Sequence, residues 1–347
     1  MALEKDTCRA SQVTQAGNIN QNLKLVTIPR PTADSLGKRD LLIQVISASV
    51  YKADYFPVEL GAASRLTGSF PRTPGVEFSG RVVAVGRKVV DVGPGEVVFG
   101  RLNPVKPGSL AEYVVAPYEG IAVLPASVSP RLAGAAGTSS LAAYQSIAPY
   151  VQAGDKVFIN GGSFAIQVAK ALACHVTVTC STDKIGLCQS LGADEVIDYK
   201  KVDVMNALYQ EGKVFAHVVD NVVGSPSTLF HPGCRAIMLP GRKRYKVSFG
   251  GGLNGASWAN SFVGNTLPSF MGGAEHKWKP LILENSHADL AQIAKWMEEG
   301  KLKTMIDSTF AFEEVPEAFN RLKKGSMTGK VVIHIQPVGG EGNGNGY

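Results

Sequence analysis

Between Val157 and Ala173 the chain reads VFIN, then Gly161, Gly162 and Ser163, then FAIQVAKALA. An apolar run that stops at glycines and opens straight into a helical run is suited to hold a phosphate. Backbone N–H groups reach the anion unobstructed there, and the helix start adds the positive end of its dipole. A second candidate lies at the end of the next apolar run, where Cys180, Ser181, Thr182, Asp183 and Lys184 stand in succession. Dinucleotide sites for an unphosphorylated ribose place an acidic side chain at that point. Two hydroxyls and a lysine suit instead the 2′-phosphate of NADPH, which favours it over NADH. Ser181 and Thr182 would serve equally well as caps of a helix beginning near Lys184, so both roles stay open.

These turns need elements to hold them. Residues 41–125 read as β-rich: Leu41–Ser49, Gly80–Val85, Glu96–Phe99 and Ala111–Val115 are apolar or alternating and are separated by Gly and Pro. From Ala133 strand and helix alternate, as in a parallel sheet covered on both faces. The expected strands are Val157–Asn160, His175–Cys180, Glu195–Asp198, Phe215–Asp220, Arg235–Leu239 and Leu281–Leu283. The expected helices are Phe164–Ala173, Lys184–Leu191, Val204–Glu211 and Leu290–Gly300. Right-handed crossovers turn these strands into a Rossmann-like doubly wound sheet, an α/β fold. After Lys301 come a strand at Thr304–Asp307, a helix at Val315–Lys324 and a strong apolar strand at Lys330–Ile335, expected to return to the N-terminal β domain. The expected division is therefore a β domain over 1–125 completed by 301–338, a nucleotide domain over 126–300, and a disordered Gly- and Asn-rich tail over 339–347.

With 347 residues, 45% of them hydrophobic and 18% charged, the chain suits two ordinary domains. Its apolar runs are far shorter than the roughly 20 residues of a membrane span. MALEKDTCRASQ lacks the order of a secretory signal, which points to the cytoplasm. The cysteines are odd in number, five, and irregularly spaced, so they read as reduced thiols. The net charge of +6 is spread along the chain. Its one dense cluster, Arg242, Lys243, Arg244 and Lys246 around Tyr245, is too small for a nucleic-acid footprint and reads as a solvated loop.

Several segments carry a family resemblance: PRTPGVEFSGRVVAVG (71–86), VVFGRLNPVKPGSLAEYVVAP (97–117), LAAYQSIAPYVQAGDKVFING (141–161), HVTVTCSTDKIGLCQSLGADEVIDYK (175–200), VVDNVVG (218–224) and GKVVIHI (329–335). The chain resembles the zinc-independent medium-chain dehydrogenase/reductase superfamily, in its quinone oxidoreductase and enoyl reductase branch. It is similar in particular to fungal zinc-type alcohol dehydrogenase-like proteins, often found in secondary metabolism. The resemblance implies a GroES-like β domain, a Rossmann cofactor domain, and a cleft at their junction. It implies hydride transfer from NADPH to a small conjugated carbonyl or a quinone, without zinc. Where zinc-dependent relatives carry Gly-His-Glu, this chain has Gly75, Val76 and Glu77, and His175, His217 and His334 read as strand residues. The resemblance further implies cofactor contacts at Tyr199, beside the 2′-phosphate, at Thr138 with Ser139, beside the nicotinamide, and at Asn221. Many relatives dimerise through an edge strand, here expected at Leu281–Leu283.

The pattern departs in three places. The glycine loop is several residues shorter than in relatives, so the first helical turn, Phe164–Gln167, is expected to unwind and bring Phe164 toward the phosphate path. The connection from Ser225 to His231 is too short for a regular crossover helix. At the catalytic mouth, Tyr51, Lys52 and Phe56 replace the usual asparagine, proline and lysine, and Phe70 stands where enoyl reductases commonly place a tyrosine acid. Tyr51 and Lys52 then become the candidates for acid and for electrostatic clamp, against a packing role for Tyr51 and simple exposure for Lys52. The alternative functional reading is a cofactor-independent cyclase, isomerase or dehydratase, or a non-catalytic remnant. The loop Phe249–Gly273 is expected to set substrate choice.

Overall fold

The computed structural model describes residues 6–222, 237–239, 245–248 and 277–336. The expectations placed on 225–233, on 249–273 and on the tail 339–347 lie outside these residues. Two compact units emerge: Met1–Ser139 with Asn285–Glu299 and Thr304–Tyr347, and Ser140–Glu284 with Gly300–Lys303.

The first unit opens with a hairpin of β1 (Thr7–Val13) and β2 (Leu23–Pro29), joined through the short helix α1 (Ile19–Asn22), whose cap Asn18 accepts from the N–H of Asn20 at 3.0 Å. The main sheet contains β3 (Asp40–Val50), β4 (Glu77–Val85), β5 (Val97–Arg101), β6 (Tyr113–Pro117) and β7 (Ile121–Val123). Two strands from the end of the chain, β14 (Ile306–Ala311) and β15 (Lys330–His334), extend it in the order β14-β15-β3-β4-β5-β7, with β6 on β3. The return of the last strand is thus observed: Val331 to His334 pair antiparallel with Val50 to Ser47. Alternation along the strands sends Leu41, Ile43, Val45, Phe78, Val98 and Ile333 into one core. Short helices α2 (Lys52–Tyr55) and α3 (Pro130–Ala133) flank the sheet, and α4 (Gly137–Ile147) starts in this unit. A Cβ on Gly137 would stand 2.1 Å from the carbonyl oxygen of Gly100, so only glycine lets α4 begin against β5.

The second unit is a parallel sheet of β8 (Lys156–Asn160), β9 (His175–Cys180), β10 (Glu195–Asp198), β11 (His217–Asp220), β12 (Tyr245–Ser248) and β13 (Lys277–Pro280). The spatial order is β10-β9-β8-β11-β12-β13, the doubly wound arrangement whose direction of winding reverses between β8 and β11. Its central strands are covered on both faces: all of Val157–Asn160 and Val176–Cys180 is buried, the polar Thr177 and Thr179 included. Helices α5 (Ser163–Ala171), α6 (Ile185–Ser190) and α7 (Val204–Glu211) connect the strands, and Phe158, Phe215, Leu208 and Val218 build the core on one face. The remaining helices, α8 (His287–Glu298) and α9 (Val315–Lys324), belong to the first unit.

Three expectations are corrected. The fifth strand is Tyr245–Ser248; around the expected Arg235–Leu239 the described residues retain a single bridge between Phe215 and Met238. Of the basic cluster, residues 242–244 lie outside the described residues, while Tyr245 and Lys246 stand in this strand, whose Val247 is fully buried, and not in a loop. The sixth strand is Lys277–Pro280, and Leu281–Leu283 follow it as irregular chain with Ile282 exposed. The edge strand of the sheet is therefore Lys277–Pro280.

Candidate active site

In the second unit, the residues expected at the phosphate turn meet where the winding reverses. Asn160, at the end of β8, donates from Nδ2 to Asp220 Oδ1 at 3.0 Å and accepts at Oδ1 from Thr179 Oγ1 at 2.6 Å. Asn221 donates its N–H to the Asn160 carbonyl at 3.1 Å and its side-chain amide to the Gly161 carbonyl at 2.7 Å. The turn is folded entirely by glycine. Gly161 and Gly162 adopt φ of 72° and 108°, and a Cβ on Gly162 would meet Asn221 Nδ2 at 2.8 Å. Helix α5 then starts at Ser163, with no side chain capping its first N–H groups. Unwinding of Phe164–Gln167 does not occur. Two consecutive residues at positive φ reverse the chain by themselves, and Phe164 is buried instead of facing a phosphate path. Gln167 is pinned on both sides, donating to Lys303 O at 3.1 Å and accepting from Lys303 N at 2.7 Å.

At the end of β9, Ser181 stands at the N-cap of the short 3-10 helix Thr182–Lys184 without a side-chain bond to its N–H groups, and Lys184 occupies the N-cap of α6. Thr182 donates to Asp198 Oδ2 at 2.6 Å, and the Ser181 hydroxyl bonds the Asp183 carboxylate, which this bond, first of all, holds below the usual range. Lys184 and Lys200 face Asp183, Lys200 and Lys201 face Asp198, and Tyr199 is exposed beside them. The structure thus gathers Ser181, Lys184 and Tyr199 at the C-terminal ends of β9 and β10.

In the first unit, Tyr51 and Lys52 separate. Lys52 is exposed, its ammonium 5.8 Å from the ring centre of Phe56. Tyr51 is half-buried over a cluster that sequence reasoning passed over. Glu77, fully buried, accepts at Oε1 from Lys330 Nζ at 2.5 Å and from the Ser49 hydroxyl, and at Oε2 from the Thr138 N–H at 2.7 Å. Lys330 also donates to Ser139 Oγ at 3.2 Å and lies 4.8 Å from the centre of the Tyr51 ring. The Thr138 hydroxyl turns back to the Val76 carbonyl at 3.4 Å, so Thr138 lies within this cluster.

Buried Asp54 ties the mouth together, accepting from Tyr51 N–H at 2.6 Å and from Gly75 N–H at 2.9 Å. Burial pushes its carboxyl up to about 7, against the pull of those two N–H bonds. Burial first, then the Glu77 and Asp54 carboxylates, pushes the Tyr51 phenol up to about 12, so it keeps its proton at neutral pH. Phe70 packs on the core with the Arg72 guanidinium 4.7 Å from its ring, and takes no proton-transfer role. The Glu77–Lys330 pair joins residues far apart in sequence, so no spacing marks it; the Gly75-Val76-Glu77 match was its only available signal.

His217 is buried, bonds the Ser146 carbonyl at 2.7 Å and stacks on Tyr150, as a structural strand residue does. Among the described residues, no group of three or more His, Cys, Asp or Glu could hold a metal, and no helix is long and apolar enough to cross a membrane.

Comparison with known proteins agrees with this architecture. Residues 37–126 match the alcohol dehydrogenase GroES-like domain, and residues 191–333 match the zinc-binding dehydrogenase family. The chain is 38% identical to the trans-enoyl reductase pgmF of Aspergillus terreus, over 95% of this chain and 96% of that protein. It is 33% identical to the human mitochondrial NAD(P)H oxidoreductase RTN4IP1, over 77% of this chain and 71% of that one. Among solved structures, a quinone oxidoreductase from Coxiella burnetii superposes with a TM-score of 0.78 at 26% identity, covering 95% of this chain and all of the other. A GroES-like β unit, a 3-2-1-4-5-6 parallel sheet and these similarities place the chain in the medium-chain dehydrogenase/reductase superfamily, among the oxidoreductases of its quinone oxidoreductase and enoyl reductase branch.

Proposed function

We propose that the protein is an NADPH-dependent, zinc-independent reductase of small conjugated carbonyls or quinones. The observation that carries this reading is the start of α5. Its first N–H groups are uncapped behind a turn whose two positive-φ glycines leave the backbone bare, at the point of the sheet where dinucleotides bind. The residues present fit a pyrophosphate there, because the shortened loop is replaced by a tighter turn and the helix keeps its first turn. Asn221 holds that turn from the neighbouring strand. Lys184, Lys200 and Lys201 outnumber Asp183 and Asp198 at the end of β9, which favours a 2′-phosphate over a bare ribose.

Bound NADPH supplies a hydride; the protein's own groups handle the proton and the charge. Tyr51, its ring centre 4.8 Å from the Lys330 ammonium, is the candidate proton donor, although burial, which pushes its phenol up to about 12, makes it a weaker acid than an ordinary tyrosine. The zinc-independent reading rests on Val76 between Gly75 and Glu77, where a metal site needs a ligand. The enoyl substrate class is supported by the similarity to the trans-enoyl reductase, and the quinone class by the similarity to the quinone oxidoreductase. The test is turnover of an α,β-unsaturated ketone with NADPH deuterated at the transferable position. Deuterium on the β-carbon of the saturated product is expected. Turnover of substrate by rigorously cofactor-free protein would replace this reading with a cofactor-independent one.

A further inference from the structure

Adding hydride to the β-carbon of an enone moves the π electrons toward oxygen. The C=C bond shifts next to the carbonyl carbon, the oxygen becomes an enolate anion, and a proton on the α-carbon completes the reduction. A donor already aimed at that oxygen lowers the barrier, because it strengthens as charge develops. The first unit contains a hydroxyl with a proton to give. Ser139, half-buried in the first turn of α4, accepts from Lys330 Nζ at 3.2 Å, so its own proton is left to give, and among the described residues nothing takes it. A hydroxyl whose oxygen accepts from an ammonium is the better donor for it. Lys330 is itself fixed by Glu77 at 2.5 Å, with side-chain exposures of 13% and 0%, so the cation cannot swing into solvent. The Thr138 N–H at the start of α4, 2.7 Å from Glu77 Oε2, holds the same carboxylate from its other oxygen.

We propose that the Ser139 hydroxyl is the hydrogen-bond donor to the substrate's carbonyl oxygen, and that Lys330, held by Glu77, is the positioning cation behind it. The proposal deepens the reductase reading and rests on it for the identity of the substrate.

The probe is para-nitrophenol, whose phenolate copies the charge of an enolate and absorbs visible light only when ionised. Bound to the full-length protein, its pKa is expected to fall by about one unit or more. Ser139→Ala and Lys330→Met abolish the shift, while Ser139→Thr and Lys330→Arg preserve it. In turnover of an α,β-unsaturated ketone, Ser139→Ala lowers kcat by about 10²-fold while the KM for NADPH stays within about threefold. Absence of probe binding, an unshifted pKa in the wild type, or a shift that survives Ser139→Ala overturns the proposal, with or without turnover. A shift that depends on Ser139 in a protein showing no turnover upholds the clamp and sinks the reductase reading instead. Should Lys330→Met fail to fold, the Lys330→Met/Glu77→Gln double variant, which leaves no unpaired buried charge, takes its place. Retention of the shift in that variant removes Lys330 from the assignment.

Discussion

Replacing Lys330 by Met strands a fully buried carboxylate. Glu77 has no solvent exposure, and the ammonium at 2.5 Å is its charged partner. Losing one member of a buried pair costs about 3–5 kcal/mol. Glu77 keeps two neutral donors, the Ser49 hydroxyl and the Thr138 N–H, so the low end of that range applies, about 3 kcal/mol. Glu77→Gln leaves a partly exposed ammonium that still bonds Ser139, and costs less, about 2 kcal/mol. The double variant has no buried charge, and its amide accepts from Thr138, so it costs about 2 kcal/mol instead of the sum. The cycle therefore yields a coupling of about 3 kcal/mol. The assay is urea unfolding at neutral pH, followed by Trp296 on α8 of the first unit. Of the three tryptophans, Trp258 and Trp278 are first changed to Phe, so the signal reports that unit alone. A cost below about 1 kcal/mol for Lys330→Met, or additive single costs, would refute the claim that this pair is buried and coupled.

Asp54 sets a pH dependence of known sign. Its folded pKa is raised from 3.8 to about 7, so the folded state binds its proton more tightly than the unfolded chain. Its contribution to stability therefore falls as pH rises from about 4 to about 7, and is flat above; the difference curve between wild type and Asp54→Asn isolates that slope, and a flat difference would refute it. Gly162→Ala places an L-residue at φ 108° with its Cβ 2.8 Å from Asn221 Nδ2. The expected outcome is a loss of about 1–2 kcal/mol and weaker NADPH binding, read by chemical unfolding and calorimetry. Lys184→Glu lowers the preference for NADPH over NADH about tenfold or more, measured as the ratio of their dissociation constants, because it puts an acid beside the 2′-phosphate. Lys52→Ala, at an exposed position, changes kcat by less than about threefold.

Much of the fold is legible because burial imposes a period. The apolar run at 157–159 in β8 and the β-branched run at 176–179 in β9 announce buried strands, and β15 shows itself as a strong apolar strand with a partner sheet to find. The strands that escaped notice are those whose partners supply the stability. Lys277–Pro280 reads KWKP and Tyr245–Ser248 reads YKVS, and each is held by parallel pairing more than by its own apolar content. The more apolar Leu281–Leu283 misled for that reason. The β1–β2 hairpin has an uneven burial pattern and small buried residues, Cys8 and Ala10, which give little periodic signal. At the site, local features were readable: the glycine turn, the Ser181–Lys184 segment, and Tyr51. Lys330 was not, since only the antiparallel return of β15 onto β3 brings it to Glu77.

The central claim is that the short Gly161–Ser163 turn still holds a dinucleotide. Calorimetric titration of the folded full-length protein with NADPH tests it most directly. A single saturable site is expected, with a dissociation constant well below millimolar that weakens in Gly162→Ala; a folded protein that takes up no NADPH at millimolar concentration would contradict the account.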